Sequence, residues 1–264
     1  METYLIESTS MNRIDLNGDL GESFGAWRMG DDDALLALLS SANIACGFHA
    51  GDPEIMRYTV AHAVAHGVAI GAHVSLPDLQ GFGRREMHVT AAEAYALTLY
   101  QIGALHAFTC AAGTRLTHVK PHGALYNMAA RDVVLADAIA HATRDFDPQL
   151  RLFGLAGSVL VKAGRAIGLP VAAEAFVDRR YRPDGSLQPR REAGAVIEDM
   201  DQALAQALGI ACDGVVHTLD GQRVQLHADT LCLHGDGAHA VQLARKLRSE
   251  LEAAGLQIAA PGTA

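Results

Sequence analysis

HVKPHGALYN, residues 118–127, is the stretch on which the reading of the fold turns. It closes a short apolar run, Leu116–Lys120, with Lys120 and His122 on either side of Pro121, and a helical pattern begins just after Gly123. A strand that ends in a tight polar turn and feeds a helix is one βα unit. The same arrangement recurs along the chain. Strands are expected at Arg13–Leu16, Asn43–Cys46, Ala69–His73, Leu116–Lys120, Leu152–Leu155, Val171–Phe176 and Thr230–Leu233. Helices are expected at Asp31–Leu39, Pro53–His66, Ala91–Ala111, Asp132–Asp145 and Ser158–Ile167. Asp52 reads as a helix N-cap with Pro53 in the first turn, and Gly67 and Gly168 read as C-terminal stops. Short links between such units predict a parallel sheet with right-handed crossovers. About seven strands in one chain point to an α/β fold, an irregular, closed or nearly closed (β/α) barrel; an open doubly wound sheet is the alternative.

Two stretches interrupt the rhythm. DRRYRPDGSLQPRR, residues 178–191, carries five arginines against two aspartates and reads as a long functional loop able to pair with a carboxylate or phosphate, the bland alternative being a solvated loop. GVVHTLDGQRVQLHAD, residues 214–229, alternates about Asp220-Gly221 and reads as a β-hairpin inserted near the C-terminus. No repeat and no linker composition divides the chain, so residues 1–264 are expected to form a single barrel domain with its core at about 13–255.

Composition narrows the function classes. Half of the 264 residues are hydrophobic, enough for a large core. A formal net charge of −9 disfavours nucleic acid as a partner. No run of about 18 apolar residues is present, so no membrane span is expected. Four widely spaced cysteines without a CxxC pair suit free thiols in a reducing compartment, and a cytoplasmic protein is expected. There is no GxxxxGK[ST] phosphate loop, and GDGAHA lacks the third glycine of a dinucleotide fingerprint. His62 and His66 lack the glutamate of a zincin helix and read as an exposed helix end, while Cys46 reads as a small buried hydrophobe.

The polar residues gather at predicted strand ends. Asp15, Asn17, Asp19 and Glu22 follow the first strand, His49 and Asp52 the second, and His73 the third. Lys120 and His122 follow the fourth, Glu174, Asp178 and Arg179 the sixth, and His234 and Asp236 the last. Parallel strands place all these ends on one side, where such folds do their chemistry. Each residue has a structural reading as well. Asp19, Asp52 and Asp236 suit helix caps, Glu22 suits a first-turn charge, and a lone histidine is more often hydrogen-bonded than catalytic. Repetition at equivalent positions is what favours a shared site.

The stretches DLNGDLGESFG, SANIACGFHAGDP, GAHVSLPDLQGFGRR, HVKPHGALYN, EAFVDRRY and LCLHGD occur in this order over nearly the whole chain and resemble the LamB/YcsF family, the A subunits of bacterial ATP-dependent 5-oxoprolinase. Departures at Gly18, Val74 and Val177 remove no charged residue. The resemblance implies a barrel of the glycoside hydrolase/deacetylase kind. It implies ATP-coupled ring opening of 5-oxo-L-proline to L-glutamate, with ATP as co-substrate and 5-oxoprolinase subunits B and C as partners. Chemistry then assigns candidate roles. Asp15 or Asp19 would serve as general base, Lys120 would stabilise developing negative charge, His122 would shuttle a proton, and Glu174 would complete the catalytic group. Asn17, His49, His73, Asp178, Arg179 and His234 would bind substrate, with Arg179 as the carboxylate or phosphate clamp. Two other readings stay open. One is a metal-dependent deacetylase or amidohydrolase acting alone, with a divalent metal on Asp15, His49, His73 and His122. The other is a non-catalytic substrate-binding component. Association with further copies of the chain also stays open.

Overall fold

Strict alternation in the first strand sets the architecture. In the computed structural model, which describes residues 13–234 and 240–262, β1 runs over Arg13–Leu20, four residues further than its apolar start indicates. Ile14, Leu16 and Leu20 are buried in the hydrophobic core, while Asp15, Asn17 and Asp19 are also buried but engage polar partners. Residues two apart share one face of a strand, so β1 lays an apolar face on the helices and a polar face into the lumen.

The other barrel strands are β2 (Ser41–Ala45), β3 (Ala69–Val74), β4 (Leu116–Pro121), β5 (Arg151–Leu155), β6 (Val171–Phe176) and, after a hairpin, β9 (Thr230–Leu233). They pair in parallel in the order β1-β2-β3-β4-β5-β6-β9, and β9 pairs back onto β1, so seven strands close the barrel. A short tenth strand, β10 (Gln257–Ile258), adds in parallel to the start of β1. The hairpin expected about Asp220-Gly221 is present as antiparallel β7 (Val215–His217) and β8 (Arg223–Gln225).

The helices are α1 (Asp32–Leu36), α2 (Pro53–His66), α3 (Ala91–Ala111), α4 (Gly123–Ala129), α5 (Val133–Phe146), α6 (Val159–Ala166), α7 (Met200–Asp213) and α8 (Ala240–Ala253). Local chemistry sets their ends. Asp52 accepts from the backbone N–H of Glu54 and Ile55 to start α2, and left-handed Gly67 stops it. Thr90 and Glu93 form a reciprocal capping box at α3. Helix α7, hidden behind the arginine-rich loop, escapes the sequence reading. None of the described helices is long and apolar enough to cross a membrane.

Strand register places the inward side chains in layers. Asn17 stands level with Ser41 and Cys232, Asp19 with Asn43, His73 with Lys120, and Glu174 with Thr230. The lumen is therefore lined by polar groups where barrels of this size usually pack Val, Ile and Leu. Small residues make the room. A Cβ on Gly71 would stand 2.1 Å from the His118 ring, so only glycine admits that imidazole to the interior.

Candidate active site

The polar lumen resolves into two levels. At the lower level, near the strand starts, Asp15 accepts hydrogen bonds from Ser40 Oγ (2.6 Å), Ser41 Oγ (2.8 Å) and Thr230 Oγ1 (2.5 Å). Burial pushes the Asp15 carboxyl up to about 6 against these three hydroxyls. This corrects the expected placement of Asp15 at a strand end. Because β1 continues to Leu20, Asp15 lies four residues, roughly 13 Å of strand, below Asp19. It is therefore separated from the histidines with which a metal set was expected.

Above it sits a buried ionic network. Lys120 Nζ lies 2.8 Å from Asp19 Oδ1, 2.9 Å from Glu174 Oε1, 3.2 Å from Asn17 Oδ1 and 3.1 Å from Cys232 Sγ. Burial works to neutralise the ammonium, but Asp19, Cys232 and Glu174 outweigh it and hold Lys120 well above its ordinary value. Asp19 is likewise kept well below the usual carboxylate range, His73 and Lys120 overcoming the effect of burial. Asn17 donates to Glu174 (3.0 Å) and Thr230 (2.6 Å), and Asn43 donates to Asn17 (2.7 Å) and Asp19 (2.9 Å). His118 reaches Asn43 at 2.8 Å and stacks on Phe153; burial, with Lys120 and His73 nearby, takes it down to about 3. The expected cap role of Asp19 is thus replaced by an ion pair.

At the mouth three imidazoles meet. His49 and His122 stack at 3.8 Å between ring centres, and His73 stands edge-on to both. Glu22 Oε1 lies 3.1 Å from His49 Nε2, 3.6 Å from His122 Nδ1 and 4.0 Å from His73 Nε2. The four ligand atoms fall within 4.8 Å of one another, a set that could hold a metal ion. Glu22 occupies the place expected of Asp15. It is a core member of the cluster and not a helix charge, since α1 starts only at Asp32. Burial and the neighbouring imidazoles depress both His49 and His122 well below the ordinary histidine value.

The loop after β3 closes over this cluster. Phe82 packs edge-on to His49 and His122, and its carbonyl accepts from His122 Nε2 at 2.8 Å. Phe82 has φ +54°, the one positive value off glycine among the described residues. Such a backbone costs of order 1 kcal/mol and persists where packing imposes it. Next to it, a Cβ on Gly83 would strike Ser75 Oγ at 2.3 Å and His122 at 2.8 Å, so the loop can lie this close only as glycine.

Beside the mouth, Asp178 and His234 pair at 2.8 Å, and His234 stacks on Phe176. Burial opposes ionisation of Asp178, yet His234 keeps it below its ordinary value. Arg179 is 5% exposed; one of its amines donates to the Gln188 carbonyl, while its Nε is buried with no partner. An amine of Arg190 is buried in the same way. Burial, then the like charge of Arg190, lowers Arg179 to about 10. The loop that carries them is laced by pairings Arg179–Val196 and Tyr181–Leu187, and by the buried Tyr181 hydroxyl, which accepts from Phe176 N at 2.7 Å. Asp236 lies outside the described residues.

Of the expected residues, Asp19, His49, His73, Lys120, His122 and Glu174 are thus linked through one network, and Asn17 supports it from below. Glu22, Asn43, His118 and Phe82 join it without having been assigned roles there. Glu22 is visible as a polar residue just beyond β1, and the alternation of Ser41 and Asn43 in SANIA is the signal for a polar inner face on β2. The half-buried His62 pairs with Asp33 at 2.7 Å, away from the cluster, and Cys46 is buried and pushed up to about 12 by that burial. A separate cleft of about 160 Å³, lined by Arg115, Arg151 and Pro261 among others, opens at the strand starts and includes none of the mouth imidazoles.

Comparison with known proteins agrees with this architecture. Residues 14–264 match the model of the LamB/YcsF family. The 5-oxoprolinase A subunit of Bordetella pertussis is 60% identical over 94% of this chain and 98% of its own length. The crystal structure of a lactam utilization protein from Thermus thermophilus is 50% identical, with a TM-score of 0.89 over 94% of this chain and 99% of that one. A T48 deacetylase solved with substrate is only 15% identical, with a TM-score of 0.50 over 96% of this chain and 90% of that one, a likeness of fold alone.

Proposed function

Because the chain belongs to the LamB/YcsF family, we propose that it is the A subunit of an ATP-dependent 5-oxoprolinase, opening the lactam of 5-oxo-L-proline to L-glutamate. The observation that carries the reading is the buried meeting of Asp19, Glu22, Lys120 and three imidazoles at the barrel mouth in a chain so closely related to proteins of that name. The whole chain is taken to work as one barrel domain, with β7–β8 as an insertion. ATP is the co-substrate, subunits B and C are the partners, and the cytoplasm is the compartment.

An unstrained five-membered amide resists water because its nitrogen is a poor leaving group. Transfer of the γ-phosphoryl group of ATP to the lactam oxygen makes the carbon electrophilic. Water adds there, the C–N bond breaks as the ring nitrogen takes a proton, and a second water releases phosphate. The chain's own residues suit these demands. Asp19, between Lys120 at 2.8 Å and His73 at 3.2 Å, takes the proton from water. Lys120, fixed by two carboxylates, faces the charge that develops on oxygen. His122 is unsuited to the proton shuttle first expected of it: Nε2 is committed to Phe82 O and Nδ1 is turned to His73 at 2.9 Å. His234, oriented by Asp178 and partly exposed, is the better donor to the ring nitrogen. Arg179 and Arg190, with buried N–H groups that lack a protein partner, hold the substrate carboxylate or the phosphoryl group. The loop over Phe82 must open to admit substrate to so buried a site.

The test is reconstitution. The chain, subunits B and C, 5-oxoproline and ATP are mixed, and glutamate and ADP are followed together. Equal release of both is expected, with none from the chain alone. Glutamate formed by the chain without nucleotide would overturn the reading in favour of a stand-alone amidohydrolase.

A further inference from the structure

Two imidazole nitrogens in the mouth face each other at hydrogen-bond distance. His73 Nδ1 lies 3.0 Å from the carbonyl of Lys120, and His122 Nε2 lies 2.8 Å from the carbonyl of Phe82. A carbonyl only accepts, so each of these nitrogens carries its ring's hydrogen. In neutral rings the remaining nitrogens, His73 Nε2 and His122 Nδ1, then hold lone pairs. They stand 2.9 Å apart, at hydrogen-bond distance, acceptor against acceptor. Such a contact needs a positive centre that serves both nitrogens: a second proton on His73, whose Nε2 also lies 3.2 Å from Asp19 Oδ2, or a cation between the rings.

Three further facts define that centre. Glu22 Oε1 and His49 Nε2 lie 3.1 Å apart beside them, and all four ligand atoms lie within 4.8 Å of one another. Tetrahedral coordination at about 2.0–2.1 Å sets ligand atoms roughly 3.3 Å apart, and the observed separations of 2.9, 3.1, 3.6 and 4.0 Å scatter about that value. Asp19 and Glu22 bring carboxylate charge to the mouth, and Lys120 pairs with Asp19 and Glu174 just beside it.

We propose that Glu22, His49, His73 and His122 form a binding site for a divalent transition-metal ion of the zinc class. Three imidazoles and one carboxylate favour such an ion over magnesium or calcium, which take oxygen ligands. The carbonyls of Lys120 and Phe82 are the outer groups that hold two of the rings in the ligating tautomer. They also explain why strained Phe82 is tolerated, because its left-handed backbone brings that carbonyl to His122. A divalent ion held here would act as a Lewis acid on an amide or phosphoryl oxygen. The site stands on its own geometry and does not depend on the substrate being a lactam.

The experiment uses the full chain alone, without substrate or partner subunits. Protein stripped with a chelator is titrated with Zn²⁺ by calorimetry and with Co²⁺ by visible absorption. One ion per chain is expected, with cobalt bands of a four- or five-coordinate nitrogen-rich site. The zinc form should also melt higher, by mass action on the folded state. Glu22→Gln should weaken zinc at least 10-fold, whereas His62→Asn, on the surface pair with Asp33, should leave it unchanged. If Glu22→Gln fails to fold, the stoichiometry, the cobalt spectrum and the melting shift of the unaltered chain decide. Substoichiometric binding, octahedral oxygen-type cobalt bands, or loss of binding in His62→Asn would each overturn the proposal. A proton shared between His73 and His122, seen by NMR in metal-treated protein, would do the same.

Discussion

Replacing Lys120 by methionine keeps the length of the side chain and removes its charge. The ammonium is 2% exposed and lies within 3 Å of two carboxylates, Asp19 at 2.8 Å and Glu174 at 2.9 Å. Without it, both carboxylates and Asn17 Oδ1 remain buried and lose their cation. Breaking a buried pair from one side costs about 3–5 kcal/mol, because the partner charge is left unpaired. For a chain of this size each kcal/mol moves the melting point by about 2–4 °C, so a fall of roughly 6–20 °C is expected. A total stability of about 5–15 kcal/mol leaves a folded protein to measure. The informative companion is Lys120→Met with Glu174→Gln, which removes one of the stranded charges while keeping its shape. If the cost comes from uncompensated charge, the double variant should melt several degrees above the single one. Thermal unfolding by circular dichroism at pH 7 on all three proteins reads this directly. A single variant melting within about 2 °C of the parent, or a double variant no better than the single, would falsify the account of Lys120 as the counter-ion of the lumen. In the reconstituted enzyme both variants should be inactive, so stability and turnover must be read on the same preparations.

Asp15→Asn tests the lower level of the lumen. The Asp15 carboxyl lies at about 6 when folded against 3.8 ordinarily, so its contribution is fully favourable below pH 3.8 and is lost as pH rises through 6. The parent should therefore lose up to roughly 3 kcal/mol relative to Asp15→Asn between pH 4 and pH 7, measured by urea unfolding at each pH. No change in the difference between the two proteins would contradict the assignment. Gly83→Ala places a Cβ against Ser75 and His122 at φ +64°, and should cost at least 1 kcal/mol by thermal melt while lowering turnover of the reconstituted enzyme about 10-fold or more. Tyr181→Phe leaves the buried N–H of Phe176 without its 2.7 Å acceptor and should destabilise by about 1–3 kcal/mol in urea; an unchanged midpoint would show that the bond contributes nothing.

The sequence by itself determined the βα alternation, the capped helices and the family, because these rest on local patterns. Period and caps place α2 and α3 at the bounds expected of them, and Asp220-Gly221 marks the hairpin. Barrel closure depends on β9 pairing with β1, more than 200 residues away, a contact that no local period encodes. The site was legible as a set of strand-end residues and illegible as a geometry. Apolar content stops the first strand at Leu16, whereas the alternation Asp15, Asn17, Asp19 with Leu16 and Leu20 carries it to the end of β1. Polar residues on a strand normally face water, so a run of them reads as a loop until the strand is known to line a closed lumen. That single difference moved Asp15 to the far level and left Glu22 to meet the histidines. Ring orientation lay still further from the sequence. Which nitrogen of His73 or His122 points inward is set by the carbonyls of Lys120 and Phe82, and only the packed strands and the loop over the mouth bring those carbonyls into place.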